Sequence, residues 1–169
     1  WGKVILSALF QLIIKNPSYP EILVLEYGID LPGDMKLLLD IARPQIGVFT
    51  VMGDVPVHVE FFSGPEAVFR EKSKLINQLP ATGFAVLNID DRLTMEAESL
   101  TRAHLMTYGF AKNAEIRISN FQNYLEKGKI GINFKINYGG GFIPVRIEDV
   151  VGKSQAYAAA AGAALGIIF

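Results

Sequence analysis

Short, continuous runs of apolar residues alternate with helical patterns along the first two thirds of the chain. Four runs have the length of a strand and no polar face, as in parallel strands that are covered on both sides. They lie at 22–25, 46–51, 84–87 and 105–108. The helical patterns between them lie at 34–41, 63–79 and 93–101. This alternation predicts βαβ units and a parallel sheet.

The residues before the first run are apolar on almost every side. Residues 4–14 have this pattern, which is typical of a short helix buried between other layers. A segment with two prolines, 16–20, ends the predicted helix before the first strand begins.

The pattern changes after residue 113. Polar and apolar residues alternate at 115–118 and 130–138, and three glycines at 139–141 lead into a further run at 142–147. Such alternation predicts antiparallel strands with one face in water. From Gly152 onward the sequence is an alanine-rich helical segment.

These patterns predict an α/β fold in a single partial domain. We expect a mainly parallel sheet flanked by helices over 1–112, a small antiparallel β appendage over 113–151, and a C-terminal helix over 152–169.

Composition narrows the class of protein. The chain has 169 residues, of which half are apolar, so it can build a core and is not disordered. There is no cysteine, which excludes disulfides and thiolate-bound metals. The 16 Lys+Arg and 17 Asp+Glu give a net charge of −1, which argues against a nucleic-acid partner.

Targeting signals are also lacking from the sequence. The longest apolar stretch, 156–169, is too short to span a bilayer, and no signal peptide is recognisable. The chain does not begin with methionine. We therefore expect a piece of a longer soluble, cytoplasmic protein with no membrane partner, while its oligomeric state stays open.

Polar side chains follow three of the four apolar runs. They are Glu26, His58 and a group formed by Asn88, Asp90 and Asp91. In open α/β sheets, ligands bind outside the carboxyl ends of the strands, so these side chains are expected at one edge. Hard oxygen ligands suit magnesium, and the set could hold a divalent cation. The alternative is that each side chain only caps a strand or a helix.

Two other patterns have simpler explanations. The Gly-Lys-Ser sequence at 152–154 lacks the upstream glycine of a phosphate loop, and Glu148 and Asp149 before it would repel a phosphate. It therefore indicates a helix start. The charge run at 70–74 is typical of a solvated helix face. Within it, Lys72 and Lys74 cannot both face inward on one helix.

Six segments, in the same order over nearly the whole chain, resemble motifs of the Mur ligases. The similarity is greatest to the branch of the family that adds D-alanyl-D-alanine to a UDP-muramoyl tripeptide. The segments are LEYGIDLPGD at 25–34, ARPQIGVFT at 42–50, HVEFF at 58–62, REKSKLI at 70–76, LNIDD at 87–91 and TYG at 107–109.

The resemblance implies a central, ATP-binding domain with a P-loop-like fold. The implied reaction is ATP-dependent amide formation on a UDP-muramoyl peptide, in the synthesis of peptidoglycan precursors, with ATP and Mg²⁺ as cofactors. The family's phosphate loop and C-terminal domain have no counterpart in these residues. The chain alone is therefore expected to be inactive.

The resemblance also implies roles for individual residues. Glu26 matches a magnesium-binding glutamate, and His58 matches a histidine of a second metal site. Lys72 matches the family's catalytic lysine, which reacts with carbon dioxide to become a carbamate and a metal ligand. Nucleotide or substrate binding is expected from Asn88, Asp90 and Asp91.

Two alternatives remain at this point. The family's histidine and asparagines near the nucleotide base are replaced here by Ser154, Gln155 and Ala158, which favours a non-catalytic Mur-like binding or assembly module. A related folylpolyglutamate or cyanophycin-type ligase would share the domain. The segments at 43–44 and 61–62 fit those enzymes less well.

Overall fold

Six strands form one mixed sheet in which every strand lies beside its neighbours in the sequence. The structure, a computed structural model, describes residues 1–13, 20–53, 56 and 59–169. The sheet order is β1-β2-β3-β4-β5-β6. The strands are β1 (Ile46–Phe49), β2 (Phe84–Asn88), β3 (His104–Gly109), β4 (Ile116–Glu126), β5 (Lys129–Tyr138) and β6 (Gly141–Glu148).

Helices in the described residues lie before, between and after these strands. They are α1 (Gly2–Ile13), α2 (Asp34–Ile41), α3 (Pro65–Lys72), α4 (Lys74–Asn77), α5 (Arg92–Glu96) and α6 (Ser154–Ile168). Single 3₁₀ turns cover Val59–Phe61 and Ala97–Leu100.

The first half of the sheet is parallel and the second half is antiparallel. Strands β1, β2 and β3 pair in parallel, and β3 makes a short parallel pairing with the start of β4. Strands β4, β5 and β6 pair antiparallel. The predicted α/β class, with a parallel sheet and an antiparallel extension, is confirmed.

Two hairpin turns of two residues connect the antiparallel strands. Glu126 pairs with Lys129, and Tyr138 pairs with Gly141. The residues between them, at 127–128 and 139–140, all have positive φ, as a type I′ turn requires. This turn type matches the right-handed twist of the strands and fixes the register of both hairpins.

The alanine-rich helix α6 packs across the middle of the sheet. It contacts strands of the parallel half and of the antiparallel half. Four alanines of α6 are buried, and they belong to the same apolar cluster as Met106 of β3 and Phe134 of β5. Because alanine has the smallest apolar side chain that still favours a helix, α6 can lie close to the sheet.

A second apolar cluster packs the predicted helical region against the parallel strands. It joins Phe49 of β1 and Leu87 of β2 to Phe69 of α3, Ile76 of α4 and Leu93 of α5. The helices at 65–77 and 92–96 thus cover the face of β1 and β2 that this cluster occupies.

The predicted strand at 22–25 is wrong. These residues form no strand and are exposed; the side chain of Val24 is 83% exposed. An apolar run becomes a buried strand only if neighbouring strands take its backbone hydrogen bonds. In the described structure β1 is the outermost strand, and nothing pairs with the run. Ordered packing resumes at Tyr27, whose hydroxyl donates to the carbonyl of Ala42 over 2.7 Å.

The first helix was predicted to be buried, and that expectation is also wrong. Helix α1 forms as predicted, but its apolar side chains at 4–10 are exposed, and Trp1 beside it is exposed as well. Helical pattern specifies the local conformation, whereas burial depends on a second surface. None of the described helices has the length and apolar character needed to cross a membrane.

Two predicted helices are shorter than expected. The helix predicted at 63–79 is divided at Ser73, whose hydroxyl donates to the carbonyl of Arg70 and whose N–H donates to Phe69. Back-bonding of this kind bends helices. The helix predicted at 93–101 consists of α5 and a following 3₁₀ turn.

Candidate functional site

The carboxyl ends of the parallel strands form one edge of the sheet. Strands β1, β2 and β3 end there at Phe49, Asn88 and Gly109, and each strand extends one residue further along the register than the one before it. The predicted group Asn88, Asp90 and Asp91 lies at this edge, directly after or at the end of β2.

Asp91 connects the end of β2 to the segment that follows β1. Its Oδ2 accepts hydrogen bonds from the N–H groups of Met52 and Gly53, both over 2.9 Å. Its Oδ1 accepts from the N–H of Thr94 over 2.8 Å, which makes Asp91 the N-cap of α5. The hydroxyl of Thr94 donates to the carbonyl of Thr50 over 3.0 Å.

The hydrogen bonds of Asp91 outweigh the cost of its burial. Burial alone would raise the pKa of the Asp91 carboxyl, but hydrogen bonds from Gly53, Thr94 and Met52 stabilise the charged form and leave its pKa below the ordinary value. Asp91 is therefore a carboxylate whose oxygens are already held by backbone donors.

Asp90 connects three elements. Its Oδ2 accepts from the N–H of Phe110 over 2.5 Å and from the hydroxyl of Tyr157 over 2.9 Å. Its Oδ1 accepts from the N–H of Ala111 over 2.9 Å. The buried side chain of Asn88 in turn accepts from the N–H of Asp90 over 3.0 Å.

Glycine is required where β3 passes the Asp90 carboxylate. Gly109 has φ 153°, and a Cβ added there would lie 2.8 Å from Oδ2 of Asp90. The absence of a side chain lets the β3 backbone come close to the carboxylate.

Tyr157 of α6 lies between aromatic rings at the same edge. Its ring makes edge contacts with Tyr108 and Phe110, with centroids 6.5 and 5.2 Å apart. The Nζ atom of Lys153 lies 4.7 Å from the centroid of Phe110. Burial, followed by the hydrogen bond to Asp90, raises the pKa of Tyr157 to about 12.

Lys72 is the last residue of α3 and is half-buried. Burial lowers the pKa of its ammonium group. In the part of the chain that the structure describes, no hydrogen bond or ion pair to Lys72 is found. Lys74 differs, because its Nζ pairs with the buried carboxylate of Glu71 over 2.6 Å.

Glu71 joins two helices near Lys72. Its Oε1 accepts from the N–H of Met35, in the first turn of α2, over 3.2 Å, while Oε2 holds Lys74. Asp34 folds the preceding turn by accepting from the N–H groups of Asp30 and Leu31 over 2.9 and 2.7 Å. Glu71 therefore ties the helix that ends in Lys72 to the segment that follows Glu26.

The predicted metal ligands are only partly described. Glu26 is exposed in the segment before α2, and His58 lies outside the described residues. Among the residues with described positions, no three His, Asp or Glu side chains cluster as a metal site requires. The roles of Glu26, His58 and Lys72 in binding Mg²⁺ stay predictions.

The structure brings together one of the two predicted groups. Asn88, Asp90 and Asp91 share the carboxyl edge, where they bond to protein groups, and their binding of nucleotide or substrate stays a prediction. The sequence pattern predicts neither the contact of Glu71 with Met35 nor that of Tyr157 with Asp90. No local pattern marks either of them, since their partners lie 36 and 67 residues away in the sequence.

The fold is shared with solved structures. It matches that of MurF ligase from Thermotoga maritima in complex with ADP, with a TM-score of 0.72 and 24% identity over 89% of this chain and 34% of that one. MurF from Acinetobacter baumannii matches with a TM-score of 0.70 and 20% identity over 83% of this chain and 29% of that one. The fold is therefore that of a domain within ligases of this class.

Sequence comparison gives the family. The model of the Mur ligase middle domain matches residues 8–166, and the chain belongs to that family. It is 28% identical over 92% of its length to UDP-N-acetylmuramoyl-tripeptide–D-alanyl-D-alanine ligase of Bacillus subtilis, covering 32% of that protein. It is 32% identical over 59% of its length to UDP-N-acetylmuramoyl-L-alanyl-D-glutamate–2,6-diaminopimelate ligase of Chlamydia caviae, covering 20% of that protein. The chain thus spans a fifth to a third of these relatives.

Proposed function

We propose that this is the central, ATP-binding domain of a ligase that forms an amide bond on a UDP-muramoyl peptide in the synthesis of peptidoglycan precursors. The observation that carries the proposal is the family match over residues 8–166. The relatives named above are ligases of UDP-muramoyl compounds, which supports the substrate class. The proposal includes a cytoplasmic location.

The proposed reaction has two steps. The substrate carboxylate attacks the γ-phosphorus of ATP, which forms an acyl phosphate and releases ADP. The amine of the second substrate then attacks the acyl carbon, and inorganic phosphate leaves. Phosphoryl transfer of this kind depends on positioning and on charge stabilisation. Mg²⁺, when bound, would neutralise the charge on the transferred phosphoryl oxygens.

The chemistry of the proposed ligands fits a hard cation. Glu26 supplies an exposed carboxylate, and Lys72 supplies an amine whose lowered pKa increases its neutral fraction. A neutral amine can attack the carbon of CO₂ and lose a proton to water, which converts Lys72 into a carbamate anion. In the proposal, Glu26 and the Lys72 carbamate would hold Mg²⁺, and His58 would contribute to a second metal site.

The second predicted group is proposed to border the nucleotide. Asn88, Asp90 and Asp91 lie at the carboxyl edge, where open α/β sheets bind ligands. Their oxygens accept from backbone groups, and this supports a role in shaping the edge against which the nucleotide lies.

Substitution of Lys72 in the full-length protein tests the proposal. Lys72→Ala should lower the ligation rate on the order of 100-fold, because a metal ligand is lost. Added short-chain carboxylic acids should restore part of the rate, since a diffusible carboxylate can replace the carbamate. Lys72→Arg should stay inactive, because a guanidinium adds a positive charge where an anion is needed.

The matched control is Lys74→Ala. Lys74 lies two residues away, and its half-exposed ammonium pairs with Glu71. This variant should ligate at nearly the rate of the unmodified protein. If Lys72→Ala released ADP as fast as Lys74→Ala in the presence of both substrates, the proposed role of Lys72 would be wrong.

A non-catalytic binding or assembly module is the second candidate. It is favoured by Ser154, Gln155 and Ala158, which replace the histidine and asparagines that the family has at these positions. The two candidates differ in one measurement. The ligase predicts ADP release that depends on a UDP-muramoyl peptide and an amine, whereas the module predicts none from the folded, full-length protein.

A further inference from the structure

The carboxylate of Asp90 and the hydroxyl of Tyr157 bring α6 to the end of β2. Their oxygens are 2.9 Å apart, and the same carboxylate accepts from the backbone N–H groups of Phe110 and Ala111. One side chain thus holds the end of β2, the segment after β3 and the start of α6. We call the bonded pair Asp90 and Tyr157 the edge latch.

Packing around the edge latch leaves Tyr157 little freedom. Its ring is held by edge contacts with Tyr108 and Phe110, and Asp90 is itself held by buried Asn88. Hydrogen bonds to a carboxylate are stronger than those between neutral groups. The Tyr157–Asp90 bond therefore helps to fix the first turn of α6 relative to the strand ends, together with buried Ala156.

We infer that Tyr157 is a positioning residue for the nucleotide, acting through Asp90, and that Asp90 itself does not contact the nucleotide. This inference rests on the proposed function. Both oxygens of Asp90 already accept hydrogen bonds, three in all, from protein donors. Three of the roughly four acceptor sites of the carboxylate are therefore taken by protein donors, which leaves a nucleotide or metal at most one, on Oδ1. The latch instead determines where Phe110 and Lys153 stand at the edge that faces the ligand.

A double-mutant cycle in the full-length protein tests the inference. Tyr157→Phe removes only the hydroxyl, and Asp90→Asn weakens the carboxylate that receives it. Each variant should raise KM for ATP about tenfold and leave kcat nearly unchanged, because the energy of one charged hydrogen bond is lost. The double variant should resemble the more affected single variant, since both substitutions act on the same contact.

Tyr124→Phe is the matched control. The Tyr124 hydroxyl accepts a hydrogen bond from Arg146 on the antiparallel strands, so this variant also loses a tyrosine hydroxyl bond. It should leave KM for ATP unchanged. A general loss of stability would affect the two tyrosine variants alike, whereas the edge latch predicts a shift in KM for Tyr157→Phe only.

Several outcomes would overturn the inference. If Asp90→Asn raised KM and Tyr157→Phe did not, Asp90 would contact the nucleotide directly. If the two effects multiplied, the residues would act independently. If the wild-type protein bound no ATP, the proposed function and this inference would both fail. Amide exchange at Phe110 and Ala111 would still show whether the latch exists, because Tyr157→Phe should speed it only if the contact holds this segment.

Discussion

Two neighbouring residues in the charge run have opposite surroundings. Glu71 is 6% exposed and bonds to the backbone of Met35 and to Lys74. The side chain of Lys72 is half-buried and makes no hydrogen bond or ion pair with a described residue. The helix places the two side chains about 100° apart, and that of Glu71 faces the first turn of α2. The Glu71 carboxylate therefore fixes the end of α3 and leaves the amine beside it available.

Substitutions of Glu71 should show how much its hydrogen bond to the Met35 N–H contributes to the free energy of unfolding. Glu71→Leu leaves the buried N–H of Met35 without an acceptor and should lower the free energy of unfolding by about 2–3 kcal/mol. Glu71→Gln retains an acceptor oxygen and should cost about 1 kcal/mol. Urea unfolding followed by circular dichroism measures both. Equal losses in the two variants would contradict the role of the Met35 hydrogen bond.

At this scale the sequence predicts residue chemistry better than residue partners. Lys72 was singled out by its motif, and Asn88, Asp90 and Asp91 by their position after an apolar run. That Asp90 bonds to Tyr157 depends on how α6 returns to the sheet, and no local spacing contains that information. The capping alternative, considered for every polar side chain, describes Asp91 correctly.

At the scale of elements, the two oxygens of Asp91 have separate structural roles. One oxygen caps α5 through Thr94, and the other anchors the segment after β1 through Met52 and Gly53. An asparagine keeps one acceptor oxygen and is a good N-cap, but it presents an NH₂ group on the other side.

Asp91→Asn should therefore release the segment after β1 and leave α5 capped. We expect faster amide exchange at Met52 and Gly53 with little change at Thr94, measured by NMR. The low pKa of the Asp91 carboxyl also makes the free energy of unfolding depend on pH. Because the folded-state pKa lies below the unfolded value, its stabilisation is present above the unfolded pKa and is lost as the pH falls through the folded pKa. If the exchange rates of Met52, Gly53 and Thr94 were the same in Asp91→Asn as in the unmodified protein, the proposed separate roles of the two Asp91 oxygens would be wrong.

Hydrophobic pattern predicts most elements because most of them bury a face. Strands β1, β2, β3, β5 and β6 follow their predicted runs to within two residues, whereas β4 continues to Glu126, beyond its predicted run at 115–118. The run at 22–25 has the same pattern, yet it is exposed, because a strand also needs a neighbour that the pattern does not reveal. The break at Ser73 coincides with a hydrogen bond from its hydroxyl to the carbonyl of Arg70, which hydrophobic periodicity does not predict.

At the scale of the whole molecule, α6 joins the two halves of the sheet. Its buried alanines pack in one cluster with side chains of the parallel strands and of the antiparallel strands. Strands β2 and β3 of the predicted region 1–112 therefore share a core with regions 113–151 and 152–169. Apolar packing in one core favours unfolding as one cooperative unit.

Overpacking α6 should weaken both halves together. Ala160 is fully buried against the sheet. Ala160→Leu should lower the free energy of unfolding by about 1–3 kcal/mol, because the added atoms have no space. Amide exchange in urea should show equal loss of protection in β2 and β5. Loss confined to one strand would mean that the halves unfold separately.

The two tight turns of the antiparallel strands also affect the order of folding. Each joins strands that are neighbours in sequence, so its pairing closes a loop of only two residues, with little loss of chain entropy. The pairing of β1 with β2 instead closes a loop over 50–83, and the chain entropy of that longer loop is lost before the strand contacts compensate for it. Low contact order speeds folding. Strands β4, β5 and β6 are therefore expected to form early and to offer a template on which α6 and the parallel strands assemble.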